Sequence, residues 1–307
     1  MEIYQGLTDF HPPKNAVVTS GTFDGVHLGH QKILNRLQEL ARSKGGETVL
    51  LTYWPHPRLV LQPKNNTLRL LSTFSEKVSI LNEMGIDHLL VLPFTQEFSQ
   101  MSSEDFIGKI LVEKIQTKTL VIGYDHRFGK NREGSFEYLQ SHSNLYGFEL
   151  EEISRQDVDD LGVSSTKIRV ALAQGDIQTT NKYLGRSYSL SGLVVKGQQI
   201  GRSIGFPTAN VQVEDPYKLL PRDGAYAVYV EINRRRYKAM LNIGDRPTVE
   251  GDKKTIEAHL IDFRGDLYGL ELTLFFEAYL REEKRFTSLD ALKNQLMIDR
   301  EQAIFSL

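Results

Sequence analysis

A chain of 307 residues without a cysteine admits neither disulfides nor thiolate metal sites, and its length suits two domains that each bury a core. Lys plus Arg (37) against Asp plus Glu (39) leaves a net charge of -2, a balance that excludes the broad basic surface of a nucleic-acid binder. No apolar run approaches the roughly 20 residues of a membrane helix. MEIYQGLTDFHPP lacks a basic segment followed by an apolar one, so a reducing cytoplasm is the expected setting.

Residues 16 to 153 alternate short β-branched runs with amphipathic helices. AVVTS reads as a strand that leads through GTFDG into the helix HQKILNRLQELARSKGG. There Ile33, Leu34, Leu37, Leu40 and Ala41 share a face, and Gly45 and Gly46 end the helix. ETVLLTY is the next strand, followed by the Pro-rich loop WPHPRLVLQPKNN and a helix in SEKVSILNEMG carrying Val78, Leu81 and Met84. DHLLVLPF is a third strand. SSEDFIGKILVEKI opens on a Ser102 to Asp105 cap signal and repeats Phe106, Ile107, Ile110 and Leu111. TKTLVIG, FEYLQSHSNLYG and FELEEIS add a strand, a helix and a strand. Such alternation predicts an α/β, doubly wound, Rossmann-like parallel sheet with ligands beyond the carboxyl ends of its strands.

SSTKIRVALAQGDIQTTNKYLGR predicts two short helices, after which the texture becomes all-β: YSLSGLVVKG, AYAVYVEI, RRYKAMLNIG, TIEAHLIDF and LYGLELTLFFEAYL at hairpin spacing. FTSLDALKNQLMIDREQAIFSL carries a Thr287 to Asp290 cap signal and Leu289, Leu292 and Leu296 on a helical face. The expectation is a small antiparallel β-barrel closed by a C-terminal helix, with domains over 1–184 and 185–307. Arg234 to Arg236 suit a solvated hairpin tip.

Two constellations carry chemistry. GTFDGVHLGH sets Gly21, Gly25 and Gly29 around His27 and His30 where a strand becomes a helix. Free amides and the positive end of the helix attract phosphate there, and imidazoles can donate to phosphate oxygens. An isolated H-x-x-H is more often a two-histidine metal site or an ordinary turn, and the surrounding glycines and the place after the first strand shift the balance. In GRSIGFPTANV, residues 201–211, the Thr208 hydroxyl and Asn210 carboxamide are oxygen donors suited to Mg²⁺, and the same string also suits a turn between strands.

TFDGVHLGH resembles the HxGH signature of nucleotidyltransferases, in the form found in bacterial bifunctional riboflavin kinase/FMN adenylyltransferases. The resemblance continues in S-S-T-x-x-R, at Ser164, Ser165, Thr166 and Arg169. YWPHP is similar to the family's T-F-x-P-H-P loop. GYDHRFGKNREGS is similar to its G-x-D-F-x-F-G segment, with His126 in place of the usual phenylalanine. PTAN is the riboflavin-kinase signature, followed in family order by LLPRDGAYAVYV, LNIGDRPTVEG, IEAHLIDFRGDLYG and YLREEKRF.

The resemblance implies a nucleotidyltransferase domain followed by a riboflavin kinase domain, forming FMN from riboflavin and then FAD from FMN. ATP is the co-substrate of both steps and Mg²⁺ the cofactor. It implies His27, His30, Arg169 and Glu257 as catalytic, Glu257 being the base for the ribityl 5′-hydroxyl. Gly21, Phe23, Asp24, Gly29, Ser164, Ser165, Thr166, Gly201, Gly205 and Pro207 would bind ATP. Asp125, Arg127, Phe128, Arg281 and Phe286 would bind flavin, and Thr208 and Asn210 the metal. The expected partners are small molecules alone; the oligomeric state stays open. Two rivals are another phosphorylated acceptor for the first domain, and a flavin-binding regulator without turnover.

Overall fold

The computed structural model describes residues 1–63, 67–124, 126–153, 162–197, 199–248 and 251–307. Contacts divide the chain into two units, Met1–Arg69 with Phe74–Ser164, and Leu70–Thr73 with Ser165–Leu307.

The first unit is built on six parallel strands: β1 (Glu2–Gln5), β2 (Val17–Ser20), β3 (Thr48–Trp54), β4 (His88–Pro93), β5 (Thr119–Gly123) and β6 (Glu149–Ile153), in the order β1-β4-β3-β2-β5-β6. β2 to β5 are near-continuous apolar runs because both faces are buried. Val17, Leu50, Leu89, Val91 and Val121 face one core with Leu34, Leu37 and Leu81 from the helices Leu28–Ser43 and Phe74–Glu83. Val18, Val49, Leu51, Leu90, Leu120 and Ile122 face the other, with Ile110 and Leu139 from the helices Phe106–Lys114 and Phe136–Tyr146. The doubly wound expectation therefore holds. The strand order reverses beside β2, which lies between β3 and β5, and this is where an α/β sheet opens a crevice for ligands.

Two elements differ from the sequence reading. β1 is a four-residue edge strand, exposed except at Tyr4 and too short to show a period, and it is bonded to β4. Beyond the Ser102 cap and one α-turn, Phe106–Lys114 is a π-helix, as in the bond from the Ile115 amide to the Ile110 carbonyl at 2.9 Å. Its wider turn keeps Phe106, Ile107, Ile110 and Leu111 all buried.

The second unit is a closed antiparallel barrel of β7 (Tyr188–Val195), β8 (Ala209–Gln212), β9 (Gly224–Ile232), β10 (Arg235–Thr248), β11 (Gly251–Leu260) and β12 (Glu271–Arg281), in the order β10-β11-β8-β7-β12-β9. Tyr226, Val228, Leu241, Ile243, Ile256, Ala258, Leu274 and Phe276 fill its interior, and their strand neighbours point outward. The helices Ser165–Gln174 and Ile177–Leu184 belong to this unit, where Asn181 Nδ2 donates to the Phe276 carbonyl at 2.8 Å. The C-terminal helix Leu289–Ser306 lies on the outside of the barrel. Ala303 on that helix packs with Phe206, Ala227, Met240 and Ile261. Its cap is Ser288, not Thr287: Ser288 has extended backbone angles and its hydroxyl accepts from the Ala291 amide at 3.1 Å.

Candidate active sites

In the first unit β2 ends at Ser20 and the helix begins at Leu28, leaving the turn Gly21–His27 at the carboxyl edge of the sheet. Phe23, Gly25 and Val26 all hold positive φ, at 46°, 77° and 39°. A β-branched residue in that region is strained and is held only by what surrounds it. Val26 is fully buried, and its carbonyl accepts from Gln31 Nε2 at 2.9 Å. His27 is the N-cap, its Nδ1 accepting from the His30 amide at 3.4 Å. The two imidazoles stack with centroids 3.7 Å apart and planes at 16°, and Phe23 meets His30 edge-on at 5.1 Å. The turn thus gathers Gly21, Phe23, Asp24, His27, Gly29 and His30 at one helix N-terminus. That arrangement suits a polyphosphate, which aligned amides and paired imidazoles stabilise together.

Across the reversal of strand order, Ser20 Oγ is 3.1 Å from His126 Nε2. Burial, with Arg132 nearby, pushes His126 down to about 4, so its ring is neutral at ordinary pH. Tyr53 joins through Ser20, and burial pushes its phenol up. Phe128 is a core residue, with its ring 5.4 Å from Phe106. Arg127 is exposed and 3.7 Å from Glu137. Asp125 lies outside the described residues. His56 caps the short helix Pro57–Leu61 and so gives YWPHP a structural role. Ser164 ends the first unit, while Ser165, Thr166 and Arg169 lie in the opening turns of the helix Ser165–Gln174 in the second.

In the second unit a cavity of about 350 Å³ opens on the outside of the barrel, with Leu292, Leu296 and Asp299 of the C-terminal helix in its wall. Strand register assembles its polar edge. Glu257 of β11 pairs with Asn210 of β8 on one side and Asn242 of β10 on the other, so all three project from one face. Thr208 Oγ1 is 3.3 Å from Glu257 Oε2. Asn210 is therefore a strand residue of β8 and not part of a turn between strands. Gly197 leaves room for it: a Cβ there would lie 2.2 Å from Asn210 Nδ2. Gly205 takes φ +90, and the turn closes through the Phe206 amide and Gly201 carbonyl at 2.8 Å. Pro207 offers its carbonyl to His259 Nδ1 at 2.8 Å.

Arg281 and Phe286 share this wall, 5.9 Å apart. Asp299, only 2% exposed, clamps the guanidinium through Nε and Nη2 at 2.9 and 2.6 Å. Sequence reasoning missed Asn242 and Asp299 because a register partner and a cross-element clamp leave no local pattern. It also missed Lys77, which had a signal: a lysine in the apolar stripe that continues through Leu81 and Met84.

Two family models match in succession, FAD synthetase over residues 9–167 and riboflavin kinase over 184–307. A bifunctional riboflavin kinase/FMN adenylyltransferase from Pseudomonas fluorescens is 39% identical over 301 residues, covering 97% of this chain and 96% of its own. One from Escherichia coli (strain K12) is 36% identical over 302 residues, with the same coverage. A solved structure titled macrolide-efflux protein from Streptococcus pneumoniae superposes with TM-score 0.90, 30% identity and 99% of both chains. Among the described residues no helix is long and apolar enough to cross a membrane. With both models matched in order and these relatives aligned along nearly the whole length, the chain belongs to the bifunctional riboflavin kinase/FMN adenylyltransferase family.

Proposed function

We propose that the chain makes FAD in two steps. The second unit transfers the γ-phosphoryl group of ATP to the 5′-hydroxyl of riboflavin, giving FMN and ADP. The first transfers AMP from a second ATP to FMN, releasing pyrophosphate. The observation that carries this reading is the Thr208–Glu257 contact in the wall of a cavity of about 350 Å³, on a face shared with Asn210.

Glu257 accepts the hydroxyl proton as the new P–O bond forms and the bond to ADP breaks. Thr208 and Asn210 are neutral oxygen donors that would hold Mg²⁺, which would supply charge neutralisation for the phosphates. Gly201, Gly205 and Pro207 shape the nucleotide turn. Phe286 offers an aromatic face to the flavin, with Arg281 held beside it by Asp299. In the first unit His27 and His30 donate to the polyphosphate as FMN's phosphate attacks the α-phosphorus in line. Gly21, Phe23, Asp24 and Gly29 form the ATP turn. Ser164, Ser165, Thr166 and Arg169 bind the departing pyrophosphate, while Asp125, Arg127 and Phe128 belong to the flavin side. The boundary between activities is proposed after Leu184, within one residue of where the second family model begins, at residue 184. The expected setting is cytoplasmic and the partners are small molecules.

Incubation with riboflavin, ATP and Mg²⁺, following ADP, pyrophosphate, FMN and FAD together, tests the reading. FMN should appear with ADP, and FAD with pyrophosphate. Formation of ADP without FMN, or of FMN without FAD, would remove one activity.

A further inference from the structure

Lys77, on the helix Phe74–Glu83, is 2% exposed. Its ammonium donates to the Thr22 carbonyl at 2.7 Å and lies 5.4 Å from the centre of the Trp54 indole on β3. Thr22 immediately precedes the left-handed run Phe23, Gly25 and Val26 of the turn that carries His27. A buried ammonium is costly unless a fold uses it, and a carbonyl with an aromatic face compensates it only in part. Asp24, on the turn itself, is the charged group that acts on it from that side; Glu76 is its neighbour on the helix, and Trp54 is neutral. The net result of burial against Asp24 is a lysine pushed down to about 8.

We propose that Lys77 is a positioning residue of the adenylyl-transfer site: its ammonium clamps the Thr22 carbonyl, fixes the strained turn, and holds a positive charge behind it that an entering polyphosphate neutralises. This rests on the adenylyl-transfer reading of the first unit. The clamp explains how a turn with Val26 at φ 39° keeps one shape, since a charge-assisted bond at its start opposes relaxation toward ordinary angles.

The test is kcat/KM for ATP in FAD formation from FMN, from pH 6.5 to 10, for the parent, Lys77→Met and Lys77→Arg. Thermal unfolding and FMN formation by the same chains report their integrity. The parent should lose activity on the alkaline side with a midpoint at or above about 8, as Lys77 gives up its proton. Lys77→Met should fall about 10- to 100-fold near pH 7, the worth of one charge-assisted bond, and lack that alkaline limb. Lys77→Arg should recover part of the rate with the limb gone, because guanidinium does not titrate there. A folded Lys77→Met with parental kcat/KM overturns the proposal, and so does a parent profile flat from pH 7 to 10, which is read whether or not the Met variant folds. A parent that makes no FAD at any pH overturns the adenylyl-transfer reading itself, which the parent reveals before any variant is compared.

Discussion

Asn210 and Glu257 are direct register partners across β8 and β11, so a carboxamide and a carboxylate far apart in sequence project side by side from the outer face of the barrel. A one-residue slip would turn Ala209 and Ala258 outward and abolish the site, and the buried Ile256 and Ala258 hold the register against that. Glu257→Gln should accordingly lower riboflavin phosphorylation about 100- to 10,000-fold, the usual worth of a positioned base. FMN adenylylation should persist, because Glu257 is not among the residues proposed for that step. Chromatography of FMN and FAD from separate substrates checks both; parental FMN production would remove Glu257 from the mechanism.

His27→Ala combined with His30→Ala removes the stacked imidazoles from the helix N-terminus. FAD formation should fall at least about 100-fold, the cost of one lost transition-state donor, while FMN accumulates. A double variant making FAD at the parental rate would sink the site.

Gly197→Ala places a Cβ about 2.2 Å from the Asn210 carboxamide, which must then rotate away. The expected outcome is a rise in the Mg²⁺ concentration needed for half-maximal FMN formation, with little change in FAD formation from FMN. Titrating Mg²⁺ at fixed ATP for each reaction measures it, and an unchanged midpoint would show that Asn210 is not a ligand.

Asp299→Ala strips the buried carboxylate from Arg281, whose side chain is 14% exposed. Leaving one member of such a pair without its counter-charge costs about 3 kcal/mol. Urea denaturation should show that loss, and the KM for riboflavin should rise as Arg281 leaves its place beside Phe286. Asp299→Asn, which keeps one acceptor, should lose less on both measures.

His126 gives the first unit an acid-sensitive stability. Its folded value of about 4 lies below the ordinary 6.5, so between them the unfolded chain holds a proton that the folded chain excludes. Stability from this group is therefore present above pH 6.5 and falls as pH drops toward 4, by on the order of 3 kcal/mol in all. The chain's single tryptophan, Trp54, lies in this unit, so urea titrations followed by its fluorescence report it selectively. His126→Phe should show a shallower decline between pH 7 and pH 4; an equal decline would place the acid sensitivity elsewhere.

The sequence by itself determined the two architectures, because burial on both faces demands continuous apolar strands and burial on one face demands alternation, and both patterns are local. It also determined the chemical vocabulary: His27 and His30 at a helix start, Thr208 and Asn210 in PTAN, Glu257 in a strand. The tertiary structure decided what those residues meet. Register set Glu257 between Asn210 and Asn242, packing against the C-terminal helix delivered Asp299 to Arg281, and the strand order brought His126 to Ser20. None of these pairings has a period or a spacing, since each joins elements through backbone ladders or packed faces. The edge strand β1 was hidden for the same reason, since four residues show no period and its place is set by pairing with β4.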